Sequence, residues 1–289
     1  MPELPEVETV KRGLNKLIVG KKIKFVASDN AHSFPNSKAD VDSFLIKSEI
    51  TDVRRRAKVL MIDLSTSYTL VIHLKMTGQL VFVDNTSRFG AGHPNDSLVG
   101  LLPDKSTRVN IEFTDKSHLY FNDQRKFGWV RLMPTAEVPN IDFMKKVGPE
   151  PLEADFKVDE FIGRFKRRSR TTIKAALLDQ AVIAGVGNIY ADESLWGAAI
   201  HPSRLVGSIT DVEFKKLYTE VRSVMNLSIE KGGSTNRNYV NAEGKKGSYM
   251  DFARVFCREG LACPRCGAEI VKIRVAGRGT HICPVCQKI

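Results

Sequence analysis

Pro2 and Glu3, the two residues that follow Met1, are of types that could do covalent chemistry. If Met1 is removed, as is usual before a small residue, the chain begins with a proline and its free nitrogen is a secondary amine. Attack of a secondary amine on an aldehyde carbon gives an iminium that is cationic at any pH, a permanent electron sink. An α-amino group has a reference pKa near ~8, against roughly 10.4 for lysine, so a useful fraction is neutral at pH 7. Terminal amines are therefore natural covalent catalysts. Glu3 adds a carboxyl group one residue away, placed for acid–base work on the same atoms.

A second set of chemistry-bearing residues closes the chain. Cys263-x2-Cys266 and Cys283-x2-Cys286 enclose sixteen residues. This is the spacing of a four-thiolate zinc ribbon, in which each pair occupies a tight knuckle and two hairpins bring the knuckles together. Pro264, Gly267 and Pro284 suit such turns. Four protein ligands leave no open position, so the reading is one structural Zn2+ per chain. The segment between the pairs carries Lys272, Arg274 and Arg278, a basic strand and turn. Cys257 lies outside the pattern and reads as a small apolar residue, His281 as a surface or packing residue.

Cations and glycines recur elsewhere. Arg54-Arg55-Arg56-Ala57-Lys58 falls at the entry of a strand and, alone, reads as a solvated charge run. Lys166-Arg167-Arg168-Ser169-Arg170 separates two helical segments. Ala184-Gly185-Val186-Gly187-Asn188 opens a further helix, whose first N–H groups and glycines could admit a phosphate. Met76, just before a turn, and Phe127, beside Arg125, are core residues by default, but apolar side chains beside an arginine also suit a wedge between bases.

These residues need elements to hold them. Val7, Val10, Leu14 and Leu17 recur at helical spacing, with Pro5 in the first turn and Gly20 past the end. Short alternating runs follow: Ile23 to Ala27, Lys58 to Leu64, Tyr68 to Leu74, Gln79 to Val83, Arg108 to Phe113, His118 to Phe121 and Gly128 to Leu132. They predict a β-sandwich or barrel led by one helix. Asp84 to Lys105 is rich in Gly, Pro, Asn, Asp and Ser and reads as a long loop. Gly148-Pro149-Glu150-Pro151 marks a linker, after which the period turns helical over Asp155–Arg167, Thr171–Leu178, Asn188–Ala198 and Asp211–Lys231. Ser234 to Met250 is polar and reads as a mobile loop. The division expected is 1–134, a β-sandwich domain; 135–152, a linker; 153–254, a helical domain; and 255–289, the ribbon. The class is α+β and multidomain.

Composition narrows the partner. Lys and Arg outnumber Asp and Glu by 44 to 33, a formal charge of +11 over 289 residues, which suits a polyanion. There is no apolar run of about 18 residues to span a membrane, and the charged N-terminus lacks a secretory core, so a cytoplasmic protein is expected. Five cysteines in that setting argue for metal or free thiols rather than disulfides.

Taken together, Pro2-Glu3-Leu4-Pro5-Glu6-Val7-Glu8-Thr9, Arg55-Arg56-Ala57-Lys58, His73-Leu74-Lys75-Met76-Thr77-Gly78, Asp123-Gln124-Arg125-Lys126-Phe127-Gly128, Gly148-Pro149-Glu150-Pro151-Leu152, Gly185-Val186-Gly187-Asn188-Ile189-Tyr190-Ala191, His201-Pro202, Gly232-Gly233 and the cysteine pairs resemble, in order and over essentially the whole chain, the formamidopyrimidine-DNA glycosylase family. The resemblance implies a helix-two-turn-helix fold for the helical domain. It also implies a monomeric enzyme of the bacterial cytoplasm that acts on damaged double-stranded DNA, excising oxidised purines and nicking the strand by β,δ-elimination. By likeness, Pro2 is the nucleophile, Glu3 the acid–base group, and Lys58 a lysine holding phosphate near the lesion. Asn188 and Arg278 are further phosphate contacts, Met76, Arg125 and Phe127 the triad inserted into the duplex, and Ser234 to Met250 the flap over the extruded base. Three departures stand out: the length of Asp84 to Lys105, Gln124 where proline is expected, and Cys257 where glycine is expected. The rival readings are an endonuclease VIII-like glycosylase for oxidised pyrimidines, which shares the Pro-Glu start, the lysine and the ribbon, and a non-catalytic nucleic-acid-binding zinc protein.

Overall fold

A computed structural model describes residues 1–93, 95–234 and 249–289. The chain forms two compact units, Met1–Lys145 with Lys231–Ser248, and Lys146–Glu230 with Tyr249–Ile289.

The first unit is a β-sandwich with a leading helix, Leu4–Ile18. Its strands are β1 (Ile23–Ser28), β2 (Ile50–Arg56), β3 (Val59–Leu64), β4 (Tyr68–His73), β5 (Gly78–Val83), β6 (Arg88–Gly92), β7 (Thr107–Phe113), β8 (His118–Asp123) and β9 (Trp129–Pro134). One antiparallel sheet has the order β1-β7-β8-β5-β6 and the other β2-β3-β4-β9. Alternate residues of both sheets, among them Leu60, Ile62, Leu70, Ile72, Leu80, Phe82, Ile111 and Phe121, meet in one core. The outer face of the four-stranded sheet is covered as well. Val59, Met61 and Val71 pack there with Val138, Trp129 and Phe143, which is why β3 reads as a nearly unbroken apolar run.

The helix joins the main core through Val7, Val10, Leu14 and Ile18, all fully buried. Each such side chain contributes on the order of 1.5–3 kcal/mol. The partly exposed Lys11–Glu8 pair adds at most about 1 kcal/mol, so apolar packing is what anchors the chain start. Glu3 and Glu6 close the first turn as a capping box, with Glu3 N–H donating to Glu6 Oε2 at 2.8 Å.

Two expectations are corrected. The stretch expected to be a long loop, Asp84 to Lys105, contains strand β6 paired along β5 and a short 3-10 turn, Asp96–Leu98. Gly90 and Gly92 made it look like loop, yet they are strand glycines required by close packing. A Cβ on Gly92, whose φ is +127°, would lie 2.5 Å from Gly78 O. The run Arg54 to Lys58 does lead into β3, but its three arginines also form the end of β2, and it is not merely solvated. The Arg55 side chain is 8% exposed and paired to Glu8 at 2.9 Å, and Arg54 is paired to Asp63.

The second unit contains the helices Val158–Lys166, Ile173–Leu178, Asn188–Gly197 and Asp211–Glu230 and the hairpin β10 (Val271–Val275) and β11 (Arg278–Ile282). Rings of Phe156, Phe161, Phe165, Phe214 and Tyr218 pack edge-on or tilted. Thr172 caps the second of these helices, its Oγ1 accepting Ala175 N–H at 3.3 Å. Trp196 packs with Val255, Cys263, Ile270 and Cys283, and the fully buried Glu193 accepts the backbone N–H groups of Arg254, Val255 and Phe256 at 2.8 to 2.9 Å. The helices and the ribbon thus share one interior.

Gly13 on the leading helix faces the Phe89 ring of β6, where an added Cβ would lie 2.1 Å from Cζ. Gly13→Ala is expected to destabilise the protein by about 1–3 kcal/mol through overpacking, despite a helix-propensity gain of about 1 kcal/mol. Phe89→Leu should recover part of the loss in the double variant, read by urea unfolding of all three.

Candidate active site and nucleic-acid interface

The capped start of the leading helix gathers the first group of residues. Pro2 and Glu3 are buried while Met1 is 48% exposed. The Met1 amine is held below its ordinary pKa by burial, which outweighs the opposing charges of Glu3 and Glu6, and the nearby Lys58 acts in the same direction as burial. Lys58 is 5% exposed and lies in the two-residue link between β2 and β3, where Arg56 pairs with Val59. The preceding Ala57 takes a left-handed φ of +51°. Arg55 supports this turn, donating from Nη1 to Ala57 O at 3.1 Å and from Nε to Glu8 Oε2 at 2.9 Å. Burial pushes the Glu8 carboxyl up, but hydrogen bonds from Arg55 and Arg12 outweigh it and hold the group below its usual range. One helix therefore bears the terminal amine and Glu3 and also braces the lysine turn.

Glu6 has a second duty that its place in a capping box does not announce. Its Oε1 accepts Ser234 N–H at 2.9 Å, and Gly233, at φ +96°, lies against its side chain. Of the segment expected to be a flap, Ser234 to Met250, residues 235–248 lie outside the described residues.

The second group sits where the chain crosses between the two sheets. Strand β4 leads into β5 through Leu74 to Thr77, and β8 into β9 through Gln124 to Gly128. Since β4 pairs with β9 and β5 with β8, the two crossovers lie side by side at one end of the sandwich. Met76 is 37% exposed and Phe127 47%, which removes the core reading for both. The Arg125 guanidinium lies over the Phe127 ring, 4.8 Å from its centroid.

The third group belongs to the second unit. Ala276 and Gly277, with φ of +50° and +73°, form the two-residue turn of the β10–β11 hairpin, and the exposed Arg278 opens β11. Asn188, first residue of its helix, donates from Nδ2 to Gly279 O at 3.0 Å, so it sits beside Arg278. Lys174, fully buried, reaches Asp192 at 2.6 Å and Thr280 Oγ1 at 2.7 Å, and Asp192 also accepts His281 N–H at 2.9 Å. His281 is thus a buried packing residue and not a surface one. Cys263, Cys266, Cys283 and Cys286 place their sulfurs within 4.8 Å of one another. Tetrahedral zinc with Zn–S near 2.3 Å requires S···S edges of about 3.8 Å. The observed Cys266–Cys283 and Cys263–Cys286 separations of 3.4 and 4.0 Å bracket that value. Backbone N–H groups of Arg265 and Cys286 point at the Cys263 and Cys283 sulfurs, as thiolates in knuckles require. The four residues fit one structural zinc ion. Cys257 takes a left-handed φ of +57°, a conformation that glycine adopts at less cost.

Sequence reasoning passed over Asp123 and His73, although both lie inside stretches it quoted. His73 Nδ1 accepts Lys75 N–H at 3.0 Å, and its ring lies against Trp129 and Phe143. Burial, then Lys75 and Lys58, hold its pKa at about 3. It is therefore neutral, with its proton on Nε2. The unfolded chain takes up this proton near pH 6.5 and the folded one near 3. The stabilising contribution is thus complete above pH 6.5 and falls as the pH is lowered toward 3, by up to about 1.4 kcal/mol per unit. Urea unfolding between pH 7 and 4 should show a shallower loss in His73→Gln than in the parent, with His93 and His201, also lowered by burial, sustaining the remainder.

Comparisons with known proteins identify the family. The family model of the formamidopyrimidine-DNA glycosylase N-terminal domain matches residues 1–130, that of the formamidopyrimidine-DNA glycosylase H2TH domain 147–240, and that of a zinc finger found in FPG and IleRS 260–289. A formamidopyrimidine-DNA glycosylase of Desulforamulus reducens is 40% identical over 290 residues, covering 100% of this chain and 99% of that one. One of Streptococcus pyogenes is 41% identical over 293 residues, with the same coverage. The structure of a Lactococcus lactis FPG mutant complexed with Fapy-dG-containing DNA superposes with a TM-score of 0.87 at 35% identity, each chain covered in full. A complex of Lactococcus lactis Fpg with abasic-site DNA gives 0.86 at 35%, covering 99% of this chain and 100% of that one. With family models matching most of its length and relatives matching all of it, the chain belongs to the formamidopyrimidine-DNA glycosylase family.

Proposed function

We propose that this protein is a bifunctional DNA glycosylase and abasic-site lyase of base excision repair that excises oxidised purines, 8-oxoguanine and formamidopyrimidines, from duplex DNA. The observation that carries the reading is the capped helix start itself, where Pro2 and Glu3 are buried and the buried Lys58 lies close enough for its charge to act on the amine that precedes them. With Met1 removed, Pro2 N attacks the anomeric carbon, and the C–N bond to the damaged base breaks with its electron pair leaving on the base. Glu3 delivers a proton to the sugar ring oxygen, and the ring opens to the iminium. The iminium acidifies the neighbouring carbon; loss of its proton expels the 3′ phosphate, and a second elimination expels the 5′ phosphate. Hydrolysis then frees Pro2. No redox or nucleotide cofactor enters.

Lys58, Asn188 and Arg278 serve as phosphate contacts, and Met76, Arg125 and Phe127 as the wedge that fills the stack when a base leaves it, at a cost of a few kcal/mol. We assign the division 1–134, 135–152, 153–254 and 255–289 as catalytic, linking, DNA-gripping and zinc-ribbon segments, and place the protein as a monomer in the bacterial cytoplasm. The zinc ion holds the hairpin that presents Arg278. Among the described residues no helix is long and apolar enough to cross a membrane.

Borohydride added during turnover of a duplex with 8-oxoguanine opposite cytosine is expected to trap an adduct that peptide mapping places on Pro2. A tag ahead of Pro2 should abolish trapping. A crosslink on Lys58 would overturn the nucleophile assignment. Binding to undamaged duplex gives an independent check on grip. Arg278→Ala and Lys58→Ala should each lower the salt slope by roughly 0.9, the value of one phosphate contact. Asn188→Ala should weaken binding and leave the slope alone, because asparagine carries no charge.

A further inference from the structure

We propose that Asp123 is a positioning residue whose carboxylate locks the two sheet crossovers together, so that Met76 on one and Arg125 and Phe127 on the other enter DNA as a single rigid wedge. The proposal rests on the wedge reading given above. Asp123 is the last residue of β8 and is 1% exposed. Its Oδ1 accepts the hydroxyl of Thr77, the neighbour of Met76, and also Arg125 N–H at 3.2 Å. Its Oδ2 accepts Gly128 N–H at 2.6 Å, the backbone donor next to Phe127. Thr77 Oγ1 in turn accepts Arg125 N–H at 3.1 Å, so the crossovers are joined directly as well. One carboxylate thus holds one crossover by a side chain and the other by both ends of its turn.

The surroundings leave these bonds as the principal restraint. Gln124 has no ring to fix its φ, and Lys126 adopts a left-handed φ of +58°, so the turn from Gln124 to Gly128 does not hold its shape by local preference. From Gln124 to Phe127 every residue is exposed, and the Arg125–Phe127 stack lies within the turn itself and does not tie it to the core. Gly128 must approach closely, because a Cβ there would sit 2.7 Å from the Phe121 ring and 3.1 Å from Asp123 Oδ2. The Asp123 backbone is fixed from behind. Asp123 N–H donates to Ser106 O at 2.8 Å, and the buried Arg108 donates from Nε to Asp123 O at 3.0 Å and from Nη1 to Asp29 at 2.7 Å. Hydrogen bonds to a charged acceptor are the strong ones, and a wedge that must hold open a stacked duplex needs its parts to resist together.

The test uses Asp123→Asn, which keeps the shape but replaces one acceptor oxygen with a donor, and Thr77→Val, which removes one arm and leaves Asp123 in place. Single-turnover excision of 8-oxoguanine from duplex DNA is expected to fall by at least about tenfold in both, the scale of losing a charged hydrogen bond. Cleavage at an abasic site in single-stranded DNA, where no stack has to be opened, should stay near the parent rate. Met76→Ala and Phe127→Ala, made in the parent and in Asp123→Asn, supply the specific signature. Their effects on duplex excision should be strongly non-additive in the parent, where they form one body, and close to additive once the bracket is cut. Equal loss on duplex and single strand, or unchanged duplex excision in both bracket variants, would overturn the proposal. If Met76→Ala and Phe127→Ala leave duplex excision intact, the wedge reading falls and the proposal with it. If those two lose excision while the bracket variants keep it, only the proposal falls.

Discussion

The packing of Val7, Val10, Leu14 and Ile18 into the sandwich core is the interaction on which the rest of the first unit depends. Chain termini ordinarily fray. Under the proposed mechanism the terminus acts at a defined point, and apolar burial within two turns of it removes that freedom. From the anchored helix, Glu3 and Glu6 cap the start, and Glu8 reaches Arg55 and, through it, the turn that carries Lys58. Directional bonds of modest strength are enough because the costly step, fixing the helix, is met by non-directional burial.

Several acids of this basic protein act inside it. Glu6, Glu8, Asp123, Asp192 and Glu193 are all buried, and each joins segments far apart in the chain. Asp123 and Glu193 are met mainly by backbone N–H groups, and Asp192 is balanced by Lys174. Exposed cations such as Arg125, Lys126, Arg274 and Arg278 therefore face solvent with less opposing charge than the overall ratio of 44 to 33 suggests.

What could be read from the sequence was what is local. The leading helix, most strands and the cysteine knuckles show through because their determinants lie within a few residues: period, cap and ligand spacing. Pro2 and Glu3 stood out as candidates because their residue types suggest chemistry without any knowledge of neighbours. Strand β6 was not, since Gly90 and Gly92 carry the mark of a loop and only their proximity to Leu98 and Gly78 reveals packing. Nor were the buried carboxylates. Glu8 and Arg55 are 47 residues apart, Thr77 and Asp123 are 46, and Asp192 and His281 are 89. Such partners leave no periodic trace, so Asp123 and His73 were visible as members of quoted stretches and invisible as structural actors.

The position of the two crossovers bears on how this sequence can drift. Surface loops generally accept insertions and deletions because loop closure costs grow slowly with length. The turn Gln124 to Gly128 is bounded on one side by the Gly78–Asp123 pairing and on the other by His73–Trp129, in different sheets. Adding or removing one residue there would either break the carboxylate's contacts or shift a strand by one place, turning core side chains outward. The hairpin β5–β6 and the segment up to β7 have no such double anchor. Length variation among homologous chains should accumulate in the exposed turns that flank β6 within residues 84–105 and be purged from 124–128, although both kinds of turn are polar in composition.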